Sequence, residues 1–356
     1  MTLDFTYKRG HIPSLDGLRG LAALLVLIFH LFQYRFTMGW MGVDLFFVLS
    51  GFLITGILLD TKGSNNYYKN YLAKRSLRIF PLYYFILFIF FLVLPAVGYH
   101  YPHYTYLNEE GIQKWYWLYI QNWRIFVEEG VNPSHILVHF WSLAIEEQFY
   151  IFWPVIIYFV PKNKMAYVCG FLICLSLAVR FYLHYVVEMN FVKIYIFTFA
   201  RLDALAVGAL VACLVRSDEG IAWLKKYALW IFYAASALVA GIVLYHMSFD
   251  LKYFTTFGYT VLAIVFGCLL LISLTDHPYN VFKKFLETGV MRFFGKYSYG
   301  IYVYHMIVLR IAEQQLEPHI GRGKTLALVF VLSIVIAVIS YHAIEKHFLK
   351  LKSRFH

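Results

Sequence analysis

Charge is what this chain has least of. Asp, Glu, Lys and Arg make up only 14% of 356 residues, where a soluble domain carries about a quarter, so a soluble globular protein is excluded. Cysteine is also scarce. Cys169, Cys174, Cys213 and Cys268 all fall in apolar runs. They have neither metal-ligand spacing nor a suggested disulfide and read as small apolar residues. No metal is expected. Ser/Pro-rich linkers, low-complexity tracts and repeats of fixed period are missing, which leaves no sign of a modular or solenoid architecture. Alternating polar and apolar strands are missing too, which argues against a transmembrane barrel.

What is present is hydrophobic length. Apolar residues make up 61% of the chain and mean hydropathy is +0.64. Continuous apolar runs recur at the roughly 20 residues that a helix needs to cross the hydrocarbon core. Ten are read, at 18–36, 41–60, 79–98, 137–160, 166–185, 195–215, 227–246, 254–274, 298–314 and 325–344. The fold class is therefore an all-α integral membrane protein with about ten transmembrane helices. Lys8 and Arg9 ahead of the first run could suggest a signal peptide, but no small-x-small cleavage site follows, so a retained helix is expected.

Basic residues set the orientation. With the N-terminus inside, cytoplasmic segments collect 20 of the 31 Lys and Arg residues, while Glu109, Glu110, Glu128 and Glu129 fall outside. This follows the positive-inside rule and places both termini in the cytoplasm. The same pattern accounts for the net charge of +11, and with no basic stripe or recognition motif there is no nucleic-acid partner to invoke. The expected location is the bacterial cytoplasmic (inner) membrane, in contact with lipid. A single membrane domain over 1–356, with no C-terminal soluble domain, is expected.

Two segments lie between these runs. Segment 99–136 contains Trp115, Trp117, Tyr119 and Trp123 and is expected to form an interfacial aromatic belt. Its alternatives are a protein-covered dip into the bilayer and a stacking surface for carbohydrate. Segment 278–296 alternates Phe282, Phe285, Leu286 and Phe293 with Lys283, Lys284, Arg292 and Lys296, as an amphipathic helix on the inner leaflet would.

The residues with chemistry begin in the first run. Arg19 precedes His30 by eleven residues, almost three helical turns, so the two share a face ~16 Å apart along the axis. Ionisable groups inside a membrane segment are costly and mark functional sites. An imidazole suits a general base at neutral pH. Trp141-Ser142 and Glu146-Glu147 open the fourth run, with Ser142 and Glu146 on one helix face. Glu146 is the carboxylate expected to orient His30. The competing reading pairs these carboxylates with Arg180 or Arg201 for structure alone. Arg75 and Arg78 share one side of a helical turn and suit phosphate, although basic residues at an inner membrane edge also follow from topology. Asp44 is open between an interfacial helix-end charge and a site role, whereas Ser50-Gly51 reads as close helix packing. Tyr302 and His305 share a face in the ninth run, where core hydrogen bonding is favoured for His305.

Taken together, five stretches resemble the membrane acyltransferase-3 family, which includes bacterial O-acetyltransferases of surface polysaccharides. They are Leu15-Asp16-Gly-Leu-Arg19-Gly with His30, Phe46-Phe-Val-Leu-Ser-Gly-Phe52, Arg75-x-x-Arg78-Ile-x-Pro81-Leu-Tyr83, Trp141-Ser142-Leu-x-x-Glu146-x-Gln-Phe-Tyr150, and Ser298-Tyr-Gly-x-Tyr302-x-x-His305. The resemblance implies acyl transfer, acetyl above all, from cytoplasmic acyl-CoA to a hydroxyl of an extracytoplasmic glycan or glycolipid. His30, Glu146 and Arg19 would be catalytic, with Arg75, Arg78 and Arg19 toward the donor. Asp16, Asp44, Trp141, Ser142, Tyr302 and His305 are further candidates. Some relatives carry an additional extracytoplasmic domain, so a soluble partner enters as an expectation. The alternative is a transporter or exporter of an envelope precursor, in which the buried charges line a path, but the two related halves common among transporters are not seen.

Overall fold

A computed structural model describes residues 10–32, 35–36, 38–98, 111–128, 136–246, 252–275 and 280–355. Lys8, Arg9, Glu109, Glu110 and Glu129 of the charge map lie outside the described residues. Among those described, helices and turns account for all regular structure, and no strand occurs.

The helices are α1 (Pro13–Phe32), α2 (Met41–Thr61), α3 (Tyr67–Phe88), α4 (Ile112–Trp117), α5 (Gln121–Val127), α6 (Phe140–Phe159), α7 (Met165–Tyr185), α8 (Phe191–Ile196), α9 (Thr198–Leu214), α10 (Asp218–His246), α11 (Tyr259–Leu274), α12 (Val281–Leu286), α13 (Gly289–Gln315) and α14 (Arg322–Ser340). A π-helical turn at Ile89–Val93 prolongs α3, and a second at Tyr341–Glu345 prolongs α14.

Six stretches are long and apolar enough to cross a membrane: Pro13–Phe32, Met41–Thr61, Tyr67–Ala96, Lys162–Tyr185, Phe254–Leu274 and Arg322–Arg354. A seventh is Thr198–Leu214 taken with Asp218–Gly241, although the two bend by 117°. The sequence reading has these as two separate crossings. The expected run at 137–160 contains α6 and that at 298–314 lies within α13, and neither helix is among the six. Glu146, Glu147 and Gln148 interrupt the apolar character of α6.

The chain forms two compact units, Met1–Gly63 with Trp153–Lys296, and Ser64–Phe152 with Tyr297–His356. In the first unit α9 packs on α2, α7 and α11, and α1 packs on α2. Glycine makes the closest approaches possible. A Cβ on Gly51 would meet the Leu205 carbonyl oxygen at 1.9 Å, and one on Gly208 the Val48 oxygen at 1.9 Å. The α2–α9 crossing is therefore a reciprocal small-residue contact, the packing expected for Ser50-Gly51.

Within segment 278–296 the described residues 280–296 are helical, as expected, in α12 and the start of α13, and both pack closely on α1. A Cβ on Gly17 would lie 2.1 Å from the Leu286 oxygen, one on Gly20 2.2 Å from the Met291 oxygen, and one on Gly295 1.9 Å from the Asp16 oxygen. Leu286 and Met291 are buried against protein. Glycine-to-backbone contact, invisible to an amphipathicity reading, decides the placement.

The aromatic segment of the second unit is likewise packed into protein. The Tyr83 and Tyr84 hydroxyls donate to the carbonyls of Tyr116 (2.8 Å) and Trp117 (3.1 Å). The Tyr119 ring stacks on that of Tyr83 at 4.0 Å. Gln121 and Asn122 are buried, and Gln148 Nε2 donates to Asn122 Oδ1 at 3.0 Å and to the Tyr119 carbonyl at 2.8 Å. α4 and α5 are thus covered by protein, and their buried polar side chains hydrogen-bond within it, with Gln121 Nε2 donating to the Phe140 carbonyl at 2.8 Å.

Candidate active site

Arg19 and His30 lie on one unbroken helix, α1, so their shared face and ~16 Å separation follow from helix geometry. His30 is half-buried, and its Nδ1 lies 2.9 Å from the Val26 carbonyl oxygen. A carbonyl only accepts, so Nδ1 carries the proton and the basic lone pair is on Nε2. The backbone one turn below therefore favours this tautomer. At the other end, Arg19 Nη1 is 3.6 Å from Asp16 Oδ1, and Asp16 Oδ2 is 2.6 Å from His11 Nε2. Ser14 Oγ donates to the Ser273 carbonyl at 2.8 Å, which ties the start of α1 to the end of α11.

The second unit gathers the other motifs from α3, α6 and α13. The Arg75 guanidinium stands 5.4 Å from the centre of the Tyr150 ring, a cation–π contact. Arg75 and Arg78 also act electrostatically on Glu147 and Glu345 respectively. Of the adjacent carboxylates Glu147 is buried, while Glu146 is only partly so. Trp141, Ser142, Tyr302 and His305 are all buried. Ser142 Oγ and the Tyr302 hydroxyl hydrogen-bond each other, and Tyr302 donates to the His139 carbonyl at 2.8 Å. His305 Nδ1 donates to the Tyr302 carbonyl at 2.7 Å. Its ring centre lies 5.1 Å from that of His139, whose Nε2 donates to the Val303 carbonyl at 3.0 Å. Tyr299 donates to the Ile79 carbonyl at 2.7 Å and so joins α13 to α3.

A third group lies wholly inside the first unit. Arg201 Nη2 is 2.5 Å from Asp44 Oδ1, and Arg180 Nη2 is 2.8 Å from Asp203 Oδ2. All four side chains are essentially unexposed. Arg180 also donates to Thr260 Oγ1 (2.5 Å), the Thr256 carbonyl (2.9 Å) and the Ala200 carbonyl (2.5 Å). These pairs correct two readings. Asp44 is a buried, paired charge rather than an exposed helix-end charge, and Arg180 and Arg201 pair with Asp203 and Asp44.

Residues 12–342 match the family model described as an acyltransferase domain. The chain belongs to the acyltransferase-3 family. Its curated relatives include the O-acetyltransferase OatA of Staphylococcus aureus strain NCTC 8325 / PS 47, 28% identical over 96% of this chain and 58% of the relative. OatA of strain MRSA252 matches equally, with the same identity and shares. A protein of strain COL whose name also contains O-acetyltransferase is 29% identical over 98% of this chain and 59% of its own length. The chain thus spans about three fifths of the length of these relatives. No solved structure matches it. Membership of this family, together with the six apolar helices, supports an integral membrane protein, and the family match favours acyl transfer over the transporter alternative.

In this acyltransferase-3 chain the candidates fall into separate sets. Arg19, His30, Asp16 and Asp44 belong to the first unit, and Arg75, Arg78, Trp141, Ser142, Glu146, Tyr302 and His305 to the second. The sequence reading missed His139, one residue ahead of α6, and Asp203 as the partner of Arg180. Asp203 had a signal, since an acid two residues after Arg201 inside an apolar run demands a partner. His139 had none beyond its nearness to Trp141. Among the described residues, no cluster of three or more His, Cys, Asp or Glu side chains is placed to hold a metal ion.

Proposed function

We propose that the protein is a membrane O-acetyltransferase, moving an acetyl group from cytoplasmic acetyl-CoA to a hydroxyl of an extracytoplasmic glycan or glycolipid. The family match and the O-acetyltransferase relatives support the reaction type. The observation that carries the assignment of chemistry is the tautomer of His30, whose basic Nε2 results from the Nδ1–H bond to Val26.

In this reading Nε2 takes the proton of the acceptor hydroxyl as its oxygen attacks the thioester carbonyl. The carbon–sulfur bond then breaks, and the imidazolium returns its proton to the departing CoA thiolate. Arg19, ~16 Å along α1 from His30, holds the donor. Arg75 and Arg78 take CoA phosphates, for which guanidinium groups suit through paired hydrogen bonds. Glu146 is the proposed carboxylate of the reaction. A ten-helix domain over 1–356, with both termini cytoplasmic in a bacterial inner membrane, completes the picture. A soluble extracytoplasmic partner would complete acceptor modification.

Transfer of label from [14C]acetyl-CoA to envelope glycan in membrane vesicles tests this. Wild type labels the glycan and His30→Ala does not, at equal protein in the membrane. Equal labelling by both would remove the assignment.

A further inference from the structure

The two buried Arg–Asp pairs of the first unit are of unlike completeness. Arg180 spends its nitrogens on Asp203, Thr260 and two backbone carbonyls. Asp203 accepts from Arg180, from Thr260 and from the Ala204 amide at 3.0 Å. Arg201 is just as buried, yet only its Nη2 is hydrogen-bonded. Arg201 Nε and Nη1 and Asp44 Oδ2 have no hydrogen-bond partner among the described residues. Residue types and burial are the same in both pairs, so burial alone does not explain the difference. Buried polar atoms left unsatisfied are costly and call for a partner.

Aromatic rings surround the unsatisfied pair. The Arg201 guanidinium carbon lies 4.3 Å from the centre of the Tyr259 ring, 4.7 Å from Tyr195 and 5.9 Å from Phe47. Trp40 packs edge-on to Tyr259 at 5.5 Å. Rings attract the charge of a guanidinium through its faces, but they supply no lone pairs to the N–H groups in its plane.

The unmet groups define what fits. Arg201 needs oxygen lone pairs and Asp44 Oδ2 needs a hydrogen, which a hydroxyl supplies together. Two arginines are already balanced by two aspartates, so an added ion would be a net buried charge, which is expensive. The ligand is therefore neutral and carries a hydroxyl. The location agrees. His30 is in the last turn of α1 and Asp44 in the first turn of α2, and Gly39 and Gly42 pack back on Leu25, Phe29 and Ala22, so both residues belong to one end of this helix pair.

We propose that Asp44 and Arg201 form a hydroxyl-binding site that positions a neutral saccharide acceptor, with Arg180 and Asp203 as its structural support. The proposal rests on the acyl-transfer reading for its place in the reaction. An ordered water offers the same hydrogen-bonding pattern, and the experiment separates the two.

The probe is neutral glycan released from envelopes of cells lacking the protein, with its esters removed by mild base. Full-length protein in lipid nanodiscs is assayed as wild type, Asp44→Asn, Arg201→Lys and, as the structural control, Asp203→Asn. The site predicts that Asp44→Asn and Arg201→Lys raise acceptor KM about tenfold or more, with acetyl-CoA KM and kcat held within about threefold. Asp203→Asn lowers Tm with acceptor KM unchanged. An acceptor KM unchanged in the Asp44 and Arg201 variants, or one that rises equally in Asp203→Asn, means a structural pair holding water and overturns the proposal. A lower Tm accompanies both Asp→Asn changes, because each leaves a buried guanidinium without its counter-charge. Retention of the glycan on immobilised protein, which needs no turnover, decides independently of the reaction. Retention by wild type and loss in Asp44→Asn supports the site even if no acetyl transfer is found, in which case the acyl-transfer reading alone fails. Equal retention, or none by wild type, overturns the site.

Discussion

His30 has its Nδ1 proton on the Val26 carbonyl at 2.9 Å, which leaves Nε2 as the basic nitrogen that the proposed reaction uses. His30→Gln is expected to lower the transfer rate by about 10²–10⁴-fold, the usual worth of a positioned general base, while the amount of inserted protein is unchanged on a membrane blot. Asp203→Asn acts differently, because it leaves the Arg180 cation buried without its counter-charge. A loss of about 3–5 kcal/mol is expected for breaking such a pair, read as a lower Tm in detergent. At this scale the sequence made Arg19 and His30 visible, since charge inside an apolar run stands out. It did not pair Asp44 with Arg201, which lie 157 residues apart. Nothing local distinguishes Arg201 from other partners for Asp44, and only tertiary packing selects it.

Helices meet here where glycine lets backbones touch. Gly51 and Gly208 do so between α2 and α9, and Gly17 and Gly20 do so between α1 and the α12–α13 segment. Each blocking atom is a carbonyl oxygen, which cannot swing aside as a flexible side chain could. Gly51→Val and Gly17→Val are therefore expected to cost about 1–3 kcal/mol each through overpacking, measured by thermal unfolding. Gly63→Ala sits in a turn with open space around a would-be Cβ but has φ +89°, so its effect comes from backbone strain alone. In α6 and α13 the Ser142–Tyr302–His139 link joins two elements. Tyr302→Phe removes both bonds and is expected to destabilise by about 1–3 kcal/mol, since the His139 carbonyl loses a donor and the Ser142 hydroxyl an acceptor. Helices themselves were legible from run length, and the Ser50-Gly51 contact from small-residue spacing. The fate of 278–296 and of α4 and α5 was not, because amphipathicity and aromatic content do not reveal which carbonyl or tyrosine a segment will meet.

At the scale of the whole molecule, the family was legible from five short motifs, all of which lie within the match over residues 12–342. Helical class was equally legible from composition. The number of crossings was less so, because polar residues in α6 and the 117° bend after α9 blur the boundary between a crossing and a packed helix. Orientation is predicted by basic residues, and a fluorescent reporter fused after Phe355 should be bright if that end is cytoplasmic, with an exported phosphatase reporter at the same place inactive. The account's central claim is that His30-dependent chemistry places acetyl esters on an envelope glycan. Mass spectrometry of envelope glycans from cells carrying wild type or His30→Ala tests it most directly. The account predicts a glycan species heavier by one or more acetyl groups in wild type and its loss in the variant. The same acetylated species at the same abundance in both would contradict it.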